Sequence, residues 1–166
     1  TPTPSPSPSP VSDPCLLVTA QEASALTGAS YSAGVEGTTP GGANTCVYGS
    51  QTLDIFWVIL FRGPDTATVQ AQWAQLEAQA QAGLQTAIPQ GVSANVTPSD
   101  IANLPGADRA ALGTGSATLS GRQLFFTDIF VLKGATFFAF SNVALGQPAA
   151  GGPAMETQAR AALGRV

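Results

Sequence analysis

Alternating apolar and polar side chains predict a β-hairpin in the first half of the chain. Residues 45–50 and 53–62 are extended runs on either side of a turn at residues 49–51. Both faces of the second run are mostly apolar, which is typical of a strand that is buried on both sides. We therefore expect residues 53–62 to form a central strand of a sheet.

Helical spacing of apolar residues predicts three helices. The first begins at a capping box, in which Thr19 and Glu22 each accept a hydrogen bond from the other's backbone amide, and ends before Gly28. The second spans residues 66–84 and the third residues 154–163. Apolar residues of the second helix recur on one stripe: Val69, Trp73, Leu76, Ala80 and Leu84.

A second group of strands is predicted in the other half of the chain. This second group comprises residues 92–96, 116–119, 123–132 and 136–143, with tight turns at 120–121 and 133–134. Residues 34–44, which precede the first hairpin, are rich in Gly, Thr and Pro and predict a loop. Short connections favour antiparallel pairing. We therefore expect an α+β fold, an antiparallel β-sheet covered on one face by helices.

Residues 1–12 form a stalk rich in Pro, Thr and Ser, and residues 13–166 form a single α+β domain. Proline at every second position removes amide donors, so we expect an extended polyproline-like spacer roughly 30 Å long. The stalk hydroxyls, which lie beside prolines, are candidates for O-glycans. The remaining residues suffice to bury a continuous core.

Composition argues against nucleic acids as partners. Charged residues are 10% of the chain, well below the roughly 25% that is usual, and the net charge is −4. The six cations are scattered, whereas nucleic-acid binding needs clustered Lys and Arg. No apolar run approaches the roughly 20 residues that span a bilayer.

Cys15 and Cys46, the only two cysteines, are expected to form a single disulfide in an extracytoplasmic protein. Closing this loop of about 31 residues would stabilise the fold by about 3.7 kcal/mol. The alternative is two buried free thiols. Without histidine, two cysteines cannot complete a zinc tetrahedron, so we expect neither a metal nor a cofactor.

Several short motifs occur in a characteristic order. They are Asp-Pro-Cys-Leu-Leu at 13–17, Cys-Val-Tyr at 46–48, Leu-Pro-Gly-Ala-Asp at 104–108 and Ala-Arg-Ala-Ala-Leu at 159–163. Over residues 13–166 the chain resembles actinobacterial exported lipoproteins, a family of unknown function. Members commonly carry Leu-Gly where Ala107 precedes the turn aspartate. The resemblance implies a lipid anchor on a cysteine upstream of Thr1 and a bond between the two visible cysteines.

Asp54 and Asp128 interrupt apolar strands and are the candidates for acid/base chemistry. A carboxyl group among apolar side chains can have a raised pKa, and the two could act as a pair if their strands were neighbours. The alternative is that each charge lies near a strand end or on an uncovered face, where it discourages aggregation. Because the chain has no histidine, a serine nucleophile would need Lys133 as its base. Lys133 is predicted at a hairpin turn and not behind a sharp nucleophile elbow, so we expect no catalytic residues.

Aromatic residues of the last two strands are the candidate ligand or partner surface. They occupy both faces of the two strands, more than one helix layer easily covers. The candidate surface comprises Phe126, Asp128, Phe130, Phe138 and Phe140. The alternative is that these residues belong to the core, with the helices at 66–84 and 154–163 covering one face and the strand ends enclosing the rest.

Together these patterns predict an extracytoplasmic binding or interaction domain without catalysis, tethered by the stalk and anchored at the cell envelope or secreted. Its expected partner is an unknown protein or a small apolar ligand at the envelope, and it would contact the membrane only through an upstream lipid anchor. One alternative is an accessory subunit of a membrane or cell-surface complex. The other is a weak acid/base enzyme using Asp54 and Asp128.

Overall fold

Seven antiparallel strands form one sheet in the computed structural model, which describes residues 10–88, 90–92 and 96–166. The strands lie side by side in the order β1-β2-β3-β7-β6-β5-β4. Their bounds are β1 Val35–Thr38, β2 Asn44–Gly49, β3 Ile55–Arg62, β4 Ser99–Asp100, β5 Arg109–Leu119, β6 Arg122–Lys133 and β7 Thr136–Leu145. The predicted α+β fold with an antiparallel sheet is confirmed.

The strand β7 lies between β3 and β6, and all ten of its residues are buried. β3 lies between β2 and β7, which confirms that the run of apolar residues after the first hairpin is a central strand. The hairpin of β6 and β7 therefore inserts its second strand against β3, so that residues far apart in the chain meet at the middle of the sheet.

In the described part of the chain, five helices accompany the sheet: α1 Pro14–Leu17, α2 Ala20–Thr27, α3 Thr66–Ala71, α4 Trp73–Ala87 and α5 Gly152–Leu163. The predicted capping box at Thr19 and Glu22 begins α2, and Gly28 ends it in the left-handed region at φ 78°. The long predicted helix is divided at Gln72 into α3 and α4.

Helices pack on both faces of the sheet, whereas the sequence predicted helices on one face. On the first, here called the α4 face, Val69 of α3 and Trp73 and Leu84 of α4 bury their side chains. The second, here called the α5 face, packs against α1, α2 and α5. Two covers are needed because both faces of the central strands are apolar, and water would otherwise contact one of the two apolar layers.

Two weakly patterned segments depart from prediction. β1 lies inside the predicted loop 34–44, and all four of its residues are exposed at the sheet edge, so it carries no apolar alternation. The predicted strand 92–96 lies partly outside the described residues, and Val92 and Val96 are not in a strand. The short strand β4 instead pairs with β5 at Leu112 and Ala111.

Cys15 and Cys46 form the expected disulfide, with an S–S distance of 2.06 Å and a Cα–Cα distance of 5.2 Å. The bond ties α1 to β2, and the Tyr48 hydroxyl donates a hydrogen bond to the Val18 carbonyl at 2.6 Å beside it. A structural disulfide indicates an oxidising, extracytoplasmic environment.

Candidate functional site

A polar cleft of about 980 Å³ opens at one end of the sheet, on the α5 face. Three separate segments form it: residues 27–32 at the end of α2, residues 49–54 between β2 and β3, and residues 142–148 at the end of β7. The lining residues are Thr27, Gly28, Ala29, Ser30, Tyr31, Ser32, Gly49, Ser50, Gln51, Thr52, Asp54, Asn142, Ala144, Gln147 and Pro148.

Neutral polar groups dominate the walls of this polar cleft. Nine lining residues carry a hydroxyl or an amide, five are Gly, Ala or Pro, and one, Asp54, carries a carboxylate. Hydroxyls and amides both donate and accept hydrogen bonds. The cleft can therefore exchange several hydrogen bonds with a polar ligand while it presents a single negative charge.

Asp54 lies at the floor of the cleft, where it is 6% exposed. One carboxylate oxygen accepts a hydrogen bond from the backbone amide of Leu145 at 3.2 Å, and the other accepts one from the Thr52 hydroxyl. The Asp54 backbone amide donates to the Ser50 hydroxyl oxygen at 2.9 Å. These bonds fix the carboxylate and still leave lone pairs free to accept from a ligand.

Asn142 and Tyr31 form a second fixed polar group. The Asn142 side-chain amide donates to the Tyr31 hydroxyl and to the Ile55 carbonyl, both at 3.3 Å, and its oxygen accepts from the Ala150 amide at 2.7 Å. Burial raises the pKa of the Tyr31 hydroxyl, so it stays protonated at neutral pH. Sequence reasoning missed this pair, although Ser141 and Asn142 visibly interrupt an apolar strand.

The predicted aromatic surface is wrong, because its phenylalanines belong to the core. Phe126 and Phe130 are each 1% exposed and pack on the α4 face, while Phe138 and Phe140 are fully buried on the α5 face. Phe138 and Phe140 stack with their ring centroids 5.3 Å apart. The alternative of core packing is therefore confirmed, although the helices at 66–84 and 154–163 lie on opposite faces of the sheet and not on one.

Asp128 is also buried, at 1% exposure, and therefore cannot contribute to a surface. It lies on β6 opposite Gly113 of β5 and Ser141 of β7. Neither carboxylate oxygen has a hydrogen-bond partner among the described residues. Burial raises the pKa of Asp128 to about 7, and the nearby Ser141 hydroxyl partly offsets this rise.

The structure does not bring Asp54 and Asp128 together. Their strands are not neighbours, because β7 lies between β3 and β6. Asp128 is on the α4 face, whereas Asp54 lines the polar cleft on the α5 face. The condition for an acid/base pair is therefore not met.

Asp13, Cys15 and Glu36 place potential metal-binding atoms within 4.8 Å of one another. The Cys15 sulfur is bonded to Cys46, and an Asp13 oxygen already accepts a hydrogen bond from the Cys15 amide at 2.7 Å. Two surface carboxylates remain, and these alone do not define a metal site.

Comparisons with protein-family models, with curated proteins and with solved structures found no match to this chain. Among the described residues, the helices are too short or too polar to cross a bilayer. The fold and the cleft define a disulfide-bonded α+β domain with a polar cleft. The function of this chain is therefore argued from its own residues.

Proposed function

We propose that this chain is an extracytoplasmic binding domain of a lipoprotein, held away from the cell envelope by its Pro-rich stalk, and that the polar cleft is its ligand site. The observation that carries the proposal is the position of the cleft. It opens at the end of the sheet opposite to the point where residues 10–11 join the domain.

Val11 is fixed at the far end of β3 from the cleft. Its carbonyl accepts a hydrogen bond from the Arg62 guanidinium at 2.6 Å, and its amide donates to the Arg165 carbonyl at 2.8 Å. Arg62 is the last residue of β3, whereas Asp54 directly precedes its first residue. Eight strand residues separate the two ends, which is roughly 26 Å at about 3.3 Å per residue. A stalk leaving at Val11 would therefore point the cleft away from an anchor.

Binding, rather than catalysis, is the function that the cleft supports. General acid/base catalysis works best with a positioned side chain whose pKa lies near the operating pH. Among the described residues that line the cleft, Asp54 is the single carboxylate, and Tyr31 keeps its proton at neutral pH. A set of fixed hydrogen-bond donors and acceptors around a carboxylate is sufficient to orient a ligand.

The protein isolated from its native envelope tests the proposal. Native mass spectrometry should find a noncovalent ligand on the wild-type chain, and Ser30→Trp, which places an indole in the cleft, should abolish it. Ser116→Trp is the matched control, because Ser116 is an exposed residue of β5 outside the cleft. Loss of the ligand in both variants, or in neither, would contradict the assignment of the cleft.

The same preparation separates the proposal from the accessory-subunit alternative. A larger native assembly that survives Ser30→Trp would favour the accessory subunit. A chain mass that includes acyl groups would support lipid anchoring, and a gain of two hydrogens on reduction corresponds to the disulfide.

A further inference from the structure

The walls of the polar cleft can donate and accept hydrogen bonds in many directions. Among the described residues, six hydroxyls and three side-chain amides line it. Some of these hydroxyls donate to the protein itself, as Ser32 does to the Gly49 carbonyl at 3.1 Å. Such a hydroxyl still accepts from a ligand. A ligand that both donates and accepts at closely spaced positions would use this lining most fully.

Charge selects among such ligands. Asp54 is the only charged side chain in the lining, and no Lys or Arg lines the cleft among the residues that the structure describes. The Arg122 guanidinium lies near Gly146, beside the cleft but not in its lining. An anionic ligand would meet a fixed carboxylate without a counterion in the walls, which is electrostatically unfavourable. A purely cationic ligand would engage Asp54 but leave most of the neutral lining unused.

Tyr31 adds an apolar surface to the cleft. Its half-buried ring is tilted against Tyr48 and Phe56, with centroid distances of 6.4 and 6.3 Å, and Asn142 holds its hydroxyl. Tyrosine presents an apolar ring beside a polar tip. A sugar ring has the matching combination, since its C–H groups form an apolar face and its hydroxyls form a polar rim.

The size of the cleft decides how large the ligand is. A volume of about 980 Å³ lies at the upper end of the roughly 300–1,000 Å³ of typical ligand pockets. On the basis of the function proposed above, we infer that the polar cleft binds a neutral oligosaccharide, with hydrogen bonds to Asp54 and Gln147 and the Tyr31 ring against one sugar. A single sugar ring would leave most of this volume to water.

Isothermal titration calorimetry and saturation-transfer NMR on the full chain at pH 7 test the inference. The neutral probes are maltotetraose and cellotetraose, and the charged probes are tetragalacturonic acid and a glucosamine tetramer. At least one neutral tetrasaccharide should bind, with at least about tenfold higher affinity than the acidic tetramer and than glucose. Tighter binding of the acidic tetramer, or of the glucosamine tetramer alone, would overturn the neutral ligand class.

Variants locate the bound sugar. Asp54→Asn keeps the shape of the side chain and should weaken neutral tetrasaccharide binding about tenfold, because a hydrogen bond to a charged acceptor is replaced by a neutral one. Asp100→Asn is the matched control, since Asp100 is exposed on β4 and should leave affinity unchanged. Gln147→Ala changes an exposed residue of the cleft and should weaken binding several-fold without lowering the melting temperature.

Failure of this inference is distinguishable from failure of the proposed function. If none of the sugars binds, the neutral oligosaccharide is excluded, whereas the cleft as a ligand site still depends on the envelope-derived ligand and its response to Ser30→Trp. If a sugar binds and neither Asp54→Asn nor Gln147→Ala weakens it, the sugar lies elsewhere and the inference is overturned.

Discussion

The unfolding free energy of this protein should fall as the pH rises from about 4 to 8, because one buried carboxyl group must ionise. Asp128 is 1% exposed on the α4 face, and its oxygens have no hydrogen-bond partner among the described residues. Desolvation disfavours the charged form and raises the pKa of Asp128 from 3.8 to about 7. Most carboxylates in folded proteins have the opposite effect on stability.

The size of the effect follows from the two pKa values of Asp128. Between pH 3.8 and about 7, the folded state keeps a proton that the unfolded state has released. At about 1.4 kcal/mol for each pH unit, the loss of stability across this window is roughly 4 kcal/mol. That is a large share of the roughly 5–15 kcal/mol by which domains are stable. Below the window the proton is bound in both states, and above it in neither, so the contribution levels off.

Urea unfolding at pH 4, 6 and 8 measures this dependence. Asp128→Asn replaces the carboxyl group by an amide of the same shape that cannot ionise. The free energy of unfolding of this variant should therefore lack the pH dependence that Asp128 causes. Wild type should therefore lose roughly 4 kcal/mol relative to this variant between pH 4 and 8. Asp100→Asn, at an exposed position of β4, should follow wild type. Glu77, whose pKa is raised by burial, titrates in both wild type and Asp128→Asn, and its contribution cancels in the difference between these two proteins.

Parallel stability curves for wild type and Asp128→Asn would refute the reasoning. That result would mean that Asp128 is solvated or hydrogen-bonded when ionised, and that its burial on the α4 face does not perturb its ionisation. If the two curves differ by a constant offset, the substitution changes packing but not the pH dependence of the unfolding free energy.

Three further changes test other parts of the fold. Replacing Cys15 and Cys46 together by Ser should lower the free energy of unfolding by about 3–4 kcal/mol in denaturant titrations, and an unchanged value would contradict the loop-entropy argument. The Arg165 guanidinium, hydrogen-bonded to Glu22, lowers the pKa of that carboxyl group to about 2. The contribution of Glu22 to the free energy of unfolding is therefore present above pH 4.5 and is lost as the pH falls towards 2. Glu22→Gln should therefore cost about 1–2 kcal/mol at pH 7, after screening at this partly exposed site, and almost nothing at pH 2. Gly83→Ala should destabilise α4 by about 1–3 kcal/mol despite the higher helix propensity of Ala, because a Cβ there would lie 2.5 Å from the Trp57 ring. The cost should shrink in a Trp57→Phe background, and an equal cost in both backgrounds would exclude the ring as its cause.

Local signals were sufficient to predict several elements. The capping box at Thr19 and Glu22 involves groups only three residues apart, and the apolar stripe of α3 and α4 repeats within a few residues. Both depend on the neighbouring chain and little on the rest of the fold. The disulfide was predictable for a different reason, because Cys15 and Cys46 leave only one pairing.

Elements without a strong local pattern were missed or shifted. β1 is exposed on every residue, since it lies at the edge of the sheet and owes its conformation to pairing with β2. β5 begins at Arg109, seven residues before the predicted strand, because its first half is rich in Ala and Gly and pairs with the long β6. Pairing with a distant partner, rather than propensity, makes these segments extended.

The amino-acid sequence by itself determined the fold class, the disulfide and the residues that stand out chemically, including Asp54 and Asp128. Only the tertiary structure decided their surroundings. Insertion of β7 between β3 and β6 separated the two aspartates, and it brought Asn142 beside Tyr31 to complete the polar cleft. Residue type and short-range spacing are properties of neighbouring positions, whereas strand order depends on contacts between segments that are far apart in the chain.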